Sequence, residues 1–252
     1  MLSLPSYSPS ISIGAALDRN LPSDKEILPG VRWGSPSELF TPAYWAEIGS
    51  NASESVSFAN PNGNLRREIC FCLLGGFGIK AEINRAVFNR LSKNGIFKFG
   101  RELSTREIER LLRIPIRLGS RKIRYRFPRQ RAKRIKNALK LIDNAIIPRE
   151  DPLILRDWLL TIPGIGLKTA SWIVRNHLGS DAVAILDVHI VRACQIMNVF
   201  REPINLPKDY KILEGQFLEF AKAIGVKPSL LDSIMWREMR TLNYFIHRLH
   251  PG

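Results

Sequence analysis

The feature that most limits the folds open to this chain is a five-residue break, Ile162-Pro163-Gly164-Ile165-Gly166, set between two runs that read as helix. Asp151 to Thr161 and Leu167 to Asn176 both carry apolar residues at helical spacing. Pro163 stops the first run, and Gly164 and Gly166 allow positive φ and a close backbone approach. The second helix then starts at once. Its free N–H groups face a turn with no side chains in front of it, a geometry that receives phosphate. The same turn also serves elsewhere as a plain connector, so its surroundings decide what it does.

Those surroundings are helical. Asn64 to Leu74 reads as one helix, broken by Gly75-Gly76-Phe77-Gly78, and Lys80 to Leu91 as a second. Ser104 with Glu107 has the spacing of a capping box. Pro128 suits the first turn of a helix reaching Asp143, Asp187 can cap a helix to Met197, and Pro207 can open another to Ile224. Ser229 and Asp232 mark the start of a long last helix. No run alternates as a half-buried strand does, so the chain is expected to be all-α. Residues 1–37, rich in Ser and Pro, read as an extended lead-in.

Charge narrows the partner. Thirty-eight Lys and Arg against 23 Asp and Glu give +15 over 252 residues, a field suited to a polyanion. The excess is concentrated between Arg117 and Lys136, where Arg121, Lys122, Arg124, Arg126 and Arg131 are interleaved with Tyr125 and Phe127. Contacts from such residues to a phosphate backbone give affinity with steep salt dependence and little sequence choice. The three cysteines, Cys70, Cys72 and Cys194, lack disulfide-framework spacing and are too few for a four-cysteine cluster. The four histidines form no zinc motif. No apolar run reaches the roughly 18 residues of a membrane span. No basic leader precedes an apolar stretch, so an intracellular protein is expected, cytoplasmic or at the nucleoid.

On a helical wheel, Leu167, Ala170, Ile173 and Val174 share one side of the helix after the break, and Lys168, Trp172 and Arg175 the other. A lysine beside an aromatic, partly desolvated, can act as a nucleophile near neutral pH; it can equally snorkel over the ring as a surface residue. Asp187 would be held ionised by the helix it caps, and a carboxylate so held can steady positive charge on a sugar. In the last helix Trp236 and Asp232 fall away from the apolar side. Two off-stripe tryptophans suggest a slot for a planar base, or a seam between subdomains.

The segment Leu160-Thr161-Ile162-Pro163-Gly164-Ile165-Gly166-Leu167-Lys168-Thr169-Ala170, followed by Asp187-Val188-His189, resembles the helix–hairpin–helix DNA glycosylase superfamily. It is most similar to the short archaeal-type 8-oxoguanine DNA glycosylase/AP lyases, which Glu68 to Leu74, Tyr125-Arg126-Phe127 with Arg131-Ala132, Leu206-Pro207-Lys208 and Leu231 to Trp236 also resemble. The resemblance implies two helical subdomains flanking a cleft with the hairpin at its mouth. Residues 38–252 would then be one glycosylase domain, with 80–185 as the hairpin-bearing subdomain and 38–79 plus 186–252 as the second. It implies that Lys168 attacks C1′ of a flipped nucleotide and that Asp187 stabilises the developing charge. The lesion would stack between Trp172 and Trp236, Asp232 would bond its polar edge, and Phe77 or its glycine neighbours would fill the gap in the duplex. Gly164, Gly166, Arg126 and Arg131 would contact DNA. The implied partner is double-stranded DNA carrying a damaged base, bound by a monomer away from any membrane. The chemistry would need no metal or organic cofactor, and any monovalent cation at the hairpin would be structural. The expected activity is bifunctional excision of 8-oxoguanine. The same chemistry on another modified base, and a non-catalytic DNA-binding module, are the alternatives.

Overall fold

The computed structural model describes residues 21–52, 63–76 and 78–249, with residues 207 and 242–249 as backbone alone. Among these, ten helices and four short strands are formed. Part of the expected lead-in is folded. Residues 26–32 make a hairpin of β1 (Glu26–Leu28) and β2 (Val31–Arg32). Val31 and Trp33 are each only 2% exposed, because burying side chains of this size is worth about 1.5–3 kcal/mol apiece. Residues 1–20 lie outside the described residues.

Side-chain caps set several of the helix starts. Thr41 Oγ1 accepts from Tyr44 N–H at 3.1 Å and opens α1 (Pro42–Asn51), a helix the sequence reading did not separate. Asn64 caps α2 (Leu65–Leu74) through Arg67 N–H, and α3 (Ala81–Lys93) follows the glycine break. The expected capping box at α4 (Thr105–Arg113) is half made. Ser104 accepts from Arg106 N–H, but Glu107 turns to an ion pair with Arg101.

The basic segment next does something the sequence reading missed. It folds into an antiparallel hairpin, β3 (Ile116–Leu118) and β4 (Arg121–Ile123), before α5 (Pro128–Asn144) begins. Ile116, which is buried, pairs with half-buried Ile123, so one face of the ribbon packs inward while Arg117 and Lys122 pair on an exposed face. Then come α6 (Pro152–Leu160), capped by Asp151, and α7 (Leu167–Leu178). The last helices are α8 (Val188–Ile196), α9 (Leu206–Ala223) and α10 (Pro228–Leu249).

Two apolar cores meet between Val183 and Ala184. The first takes side chains from α2 to α7 and from β3; the second takes β2, α1, α8, α9 and α10. This moves one boundary. The 38–79 stretch was expected in the second subdomain, yet α2 buries Leu65, Ile69, Leu73 and Leu74 in the first core, against α5 and α7. The polar groups at its end explain why: Tyr125 Oη donates to the Leu74 carbonyl at 2.5 Å and Arg131 donates to the Leu73 carbonyl at 2.8 Å. The two cores are joined by buried ion pairs, Arg156 with Glu214 and Arg175 with Asp232. No helix among the described residues is long and apolar enough to cross a membrane.

Candidate active site

The break between α6 and α7 is a tight turn in which Ile165 N–H donates to the Ile162 carbonyl. Of its two glycines only Gly164 needs positive φ, at +99°. A Cβ there would come within 2.8 Å of Arg134 Cδ, so α5 packs directly on the turn. Gly166 is extended and stands as the N-cap of α7 with no side-chain cap, leaving the helix start open. Lys168 sits in this first turn, exposed, and among the described residues it makes no hydrogen bond or ion pair.

Asp187 arrives under different conditions. Its Oδ1 accepts from His189 N–H at 2.8 Å and Ile190 N–H at 3.1 Å, the cap that the sequence suggested for α8. Lys168 and Asp187 line the same cavity, of about 460 Å³, which lies where the two cores meet. That is within the roughly 300–1,000 Å³ of small-molecule sites. Trp172, Trp236 and Asp232 line it too, so five separately chosen sequence candidates converge on one hollow. Trp236 is 37% exposed, and the Arg240 guanidinium lies 4.9 Å from its ring centroid, covering one face. Trp172 is half-buried against the first core.

Some expected roles change. Asp232 is 2% exposed and its oxygens are occupied: Oδ1 pairs with Arg175 and accepts from Ser233 Oγ, and Oδ2 accepts from Ile185 N–H. A buried carboxylate needs such partners, so Asp232 braces the cavity wall. Burial pushes its pKa up to about 6 despite the opposing pull of Arg175. Arg175, assigned by the wheel to the polar face, is buried for the same reason. Arg131, expected to contact DNA, is instead turned inward. It is 9% exposed and spends its guanidinium on the Leu73 carbonyl at the end of α2. Arg126 is exposed, 5.1 Å above the Phe127 ring and close against Gly78. Phe77 lies outside the described residues.

The wall contributed by α2 and α3 was not foreseen. Phe71, Cys72, Gly75, Gly76 and Asn84 line the cavity opposite α7 and α10. Asn84 Nδ2 donates to the Phe71 carbonyl, and a Cβ on Gly75 would meet Asn84 Nδ2 at 3.1 Å, so the glycine gives the amide its seat. The Cys72 thiol is held protonated, its pKa pushed well up by burial and then by Glu68. Glycines after an amphipathic helix were the available signal, but a break reads as a loop unless a ligand wall is already in view. Among the described residues no three His, Cys, Asp or Glu side chains gather as a metal site requires.

A helical hairpin whose second helix presents a lysine across a cleft from a cap aspartate defines the class of helix–hairpin–helix DNA glycosylases. Residues 51–226 match the Ogg-HhH family, described as 8-oxoguanine DNA glycosylase, and the chain belongs to that family. It is 32% identical over 178 residues to an 8-oxoguanine DNA glycosylase/AP lyase of Korarchaeum cryptofilum, covering 68% of this chain and 78% of that one. A protein of the same description from Thermoplasma volcanium is 28% identical over 209 residues, 79% of this chain and 94% of its own. Among solved structures, the Methanocaldococcus jannaschii 8-oxoguanine glycosylase/lyase in complex with a DNA 15-mer containing 8-oxoguanine superposes with TM-score 0.59 at 26% identity, covering 77% of this chain and 94% of that chain. The 8-oxoguanine DNA glycosylase of Thermotoga maritima gives 0.52 at 26% identity, over 76% and 83%.

Proposed function

We propose that this protein is a bifunctional DNA glycosylase/AP lyase that excises 8-oxoguanine from duplex DNA and nicks the strand at the resulting site. The observation that carries the reading is the shared cavity: Lys168 and Asp187 open onto one base-sized hollow beside two tryptophans and directly behind the open start of α7. The hairpin N–H groups and the exposed Arg117, Lys122, Arg124 and Arg126 would hold the phosphate backbone. The target nucleotide would leave the stack and enter between the tryptophans.

In the first step Lys168 Nζ, having passed a proton to solvent, forms a bond to C1′ as the C1′–N9 bond breaks, and the base departs with its electron pair and takes up a proton. Opening of the sugar at O4′ then gives the C1′ imine, with one amine proton lost to solvent and another delivered to O4′. Loss of a C2′ proton expels the 3′ phosphate by β-elimination, and water returns Lys168. Asp187, charged and fixed by two N–H groups, offsets the positive charge that builds on the sugar during the first step. No step requires a metal or organic cofactor. Mixing the protein with an 8-oxoguanine duplex and borohydride should give a covalent protein–DNA adduct that Lys168→Gln cannot form. A wild type that excises no base and yields no adduct rejects the reading.

A further inference from the structure

The strand of chain that delivers Asp187 is fastened in an unusual way. Ala184, Ile185 and Leu186 precede it, and each gives its backbone N–H to a different buried or mostly buried side chain. Ala184 donates to Glu214 Oε1 at 3.0 Å, Ile185 to Asp232 Oδ2 at 3.3 Å, and Leu186 to Tyr210 Oη at 3.2 Å. Tyr210 closes a second bond by donating its hydroxyl proton to the Ala184 carbonyl at 2.8 Å. Exposure of Glu214, Asp232 and Tyr210 is 4%, 2% and 3%. Backbone N–H groups outside a helix or sheet need other acceptors; here α9 and α10 supply them.

The same side chains reach across to the helices of the hairpin. Glu214 Oε1 also accepts from Ser171 Oγ on α7 at 3.2 Å, and Oε2 takes Arg156 of α6. Asp232 takes Arg175 of α7. Ser171 is less than one turn beyond Lys168 on the same helix. Glu214 therefore holds with one oxygen both the helix bearing the lysine and the strand bearing the aspartate. Burying two ion pairs is a poor route to stability, since desolvation offsets most of the attraction; well-packed apolar residues would serve as well. What the pairs provide is a fixed relation between two chain segments.

We propose that Glu214 and Tyr210 are positioning residues that set the separation of Lys168 and Asp187 across the cleft, with Arg156 and Ser171 as their anchors on the hairpin side. The inference rests on the lysine mechanism proposed above. Neither residue touches the nucleotide. They act by keeping Asp187 where the sugar charge develops, and a displacement of about 1 Å at that distance can cost roughly 100-fold in rate.

The test is single-turnover base excision on an 8-oxoguanine duplex with Tyr210→Phe and Glu214→Gln. Each rate constant is scaled to the fraction of enzyme that borohydride can trap. Tyr210→Phe removes one hydroxyl and keeps the ring in its core, so it tests the idea even if Glu214→Gln folds poorly. The scaled rate constant should fall about 10- to 100-fold for both, while affinity for a duplex carrying a stable abasic analogue stays within twofold. A residue with a purely structural role would lower the trappable fraction or the melting temperature and leave the scaled rate constant unchanged. That result for Tyr210→Phe overturns the proposal. Wild type is the control that separates the two claims: if it traps and excises normally, only the clamp is in question. If it does neither, the lysine mechanism itself fails and the clamp falls with it.

Discussion

The two sides of the cleft hold their reactive groups in opposite ways. Lys168 stands in the first turn of a helix with no side-chain cap, exposed and unpaired among the described residues. Asp187 ends a segment in which three successive N–H groups are bound by buried or mostly buried side chains, and it binds two more itself. The contrast fits the proposed chemistry. A nucleophile must move to form a bond and then be released, whereas a counter-charge stabilises best when it does not have to reorganise. One cavity wall is built for reach and the other for fixity.

The first way to break this comparison is to remove the exposed partner. Lys168→Gln should abolish both the borohydride adduct and nicking, with binding to lesion DNA retained, as a gel-shift against the trapped band will show. Removing the fixed charge should do less. Asn is as good an N-cap as Asp, so Asp187→Asn should keep the melting temperature while single-turnover excision slows by about 10²–10³-fold. A drop in stability with unchanged rate would make Asp187 a cap and nothing more. Smaller again are the walls. Trp172→Ala or Trp236→Ala should weaken binding of a lesion duplex by about 1–3 kcal/mol, the range for a base stacked on an aromatic, and leave undamaged duplex untouched.

Much of this arrangement was legible in the sequence because it is local. Caps and breakers placed the starts of nine helices close to where they are observed, and the wheel set Lys168 and Trp172 apart from the apolar side of α7. What escaped depends on partners far away in the chain. Arg131 looks like its exposed basic neighbours until the Leu73 carbonyl, 58 residues earlier, claims it. Asp232 and Arg175 each read as polar-face residues, and only their meeting across the two cores buries both. The β3–β4 ribbon was hidden by its own charges. Three-residue strands rich in Arg and Lys carry almost no alternation, and the ribbon is fixed by Ile116 and Leu118 packing on the first core.

That ribbon offers a gentler perturbation of the DNA side alone. Arg117 and Lys122 are opposite each other in the register, a like-charge pair that costs stability unless a polyanion lies over it. Replacing both with Ala should reduce the slope of log affinity against log salt by roughly 1–2, at about 0.9 for each phosphate that is no longer neutralised. The rate of excision at saturating enzyme should not change. An unaltered slope would place the duplex elsewhere on the surface.

The smallest effect tests whether fixity extends to the far end of α7. Near that end Glu68 of α2 hydrogen-bonds Asn176, lies 3.9 Å from His177, and faces Arg175 and Cys72. Burial raises its pKa from 4.5 to about 7, outweighing the lowering by Asn176 and Arg175. A carboxyl whose folded pKa lies above its unfolded value favours the fold while protonated, and that contribution is lost as pH rises through the folded pKa. His177 does not rescue it, since burial and Arg149 lower its own pKa and leave it neutral there. Wild-type stability should therefore decline as pH rises from about 4.5 to about 7 and level off above that, by on the order of 2–3 kcal/mol. Glu68→Gln, neutral throughout, should lose most of that slope and be the more stable protein at pH 8. The remainder should lie lower, between about pH 4 and 6, where Asp232 titrates for the same reason. If both proteins melt in parallel across this range, Glu68 is already ionised in the fold, and the end of α7 is held by an ion pair with Arg175 or His177 rather than by a neutral acid.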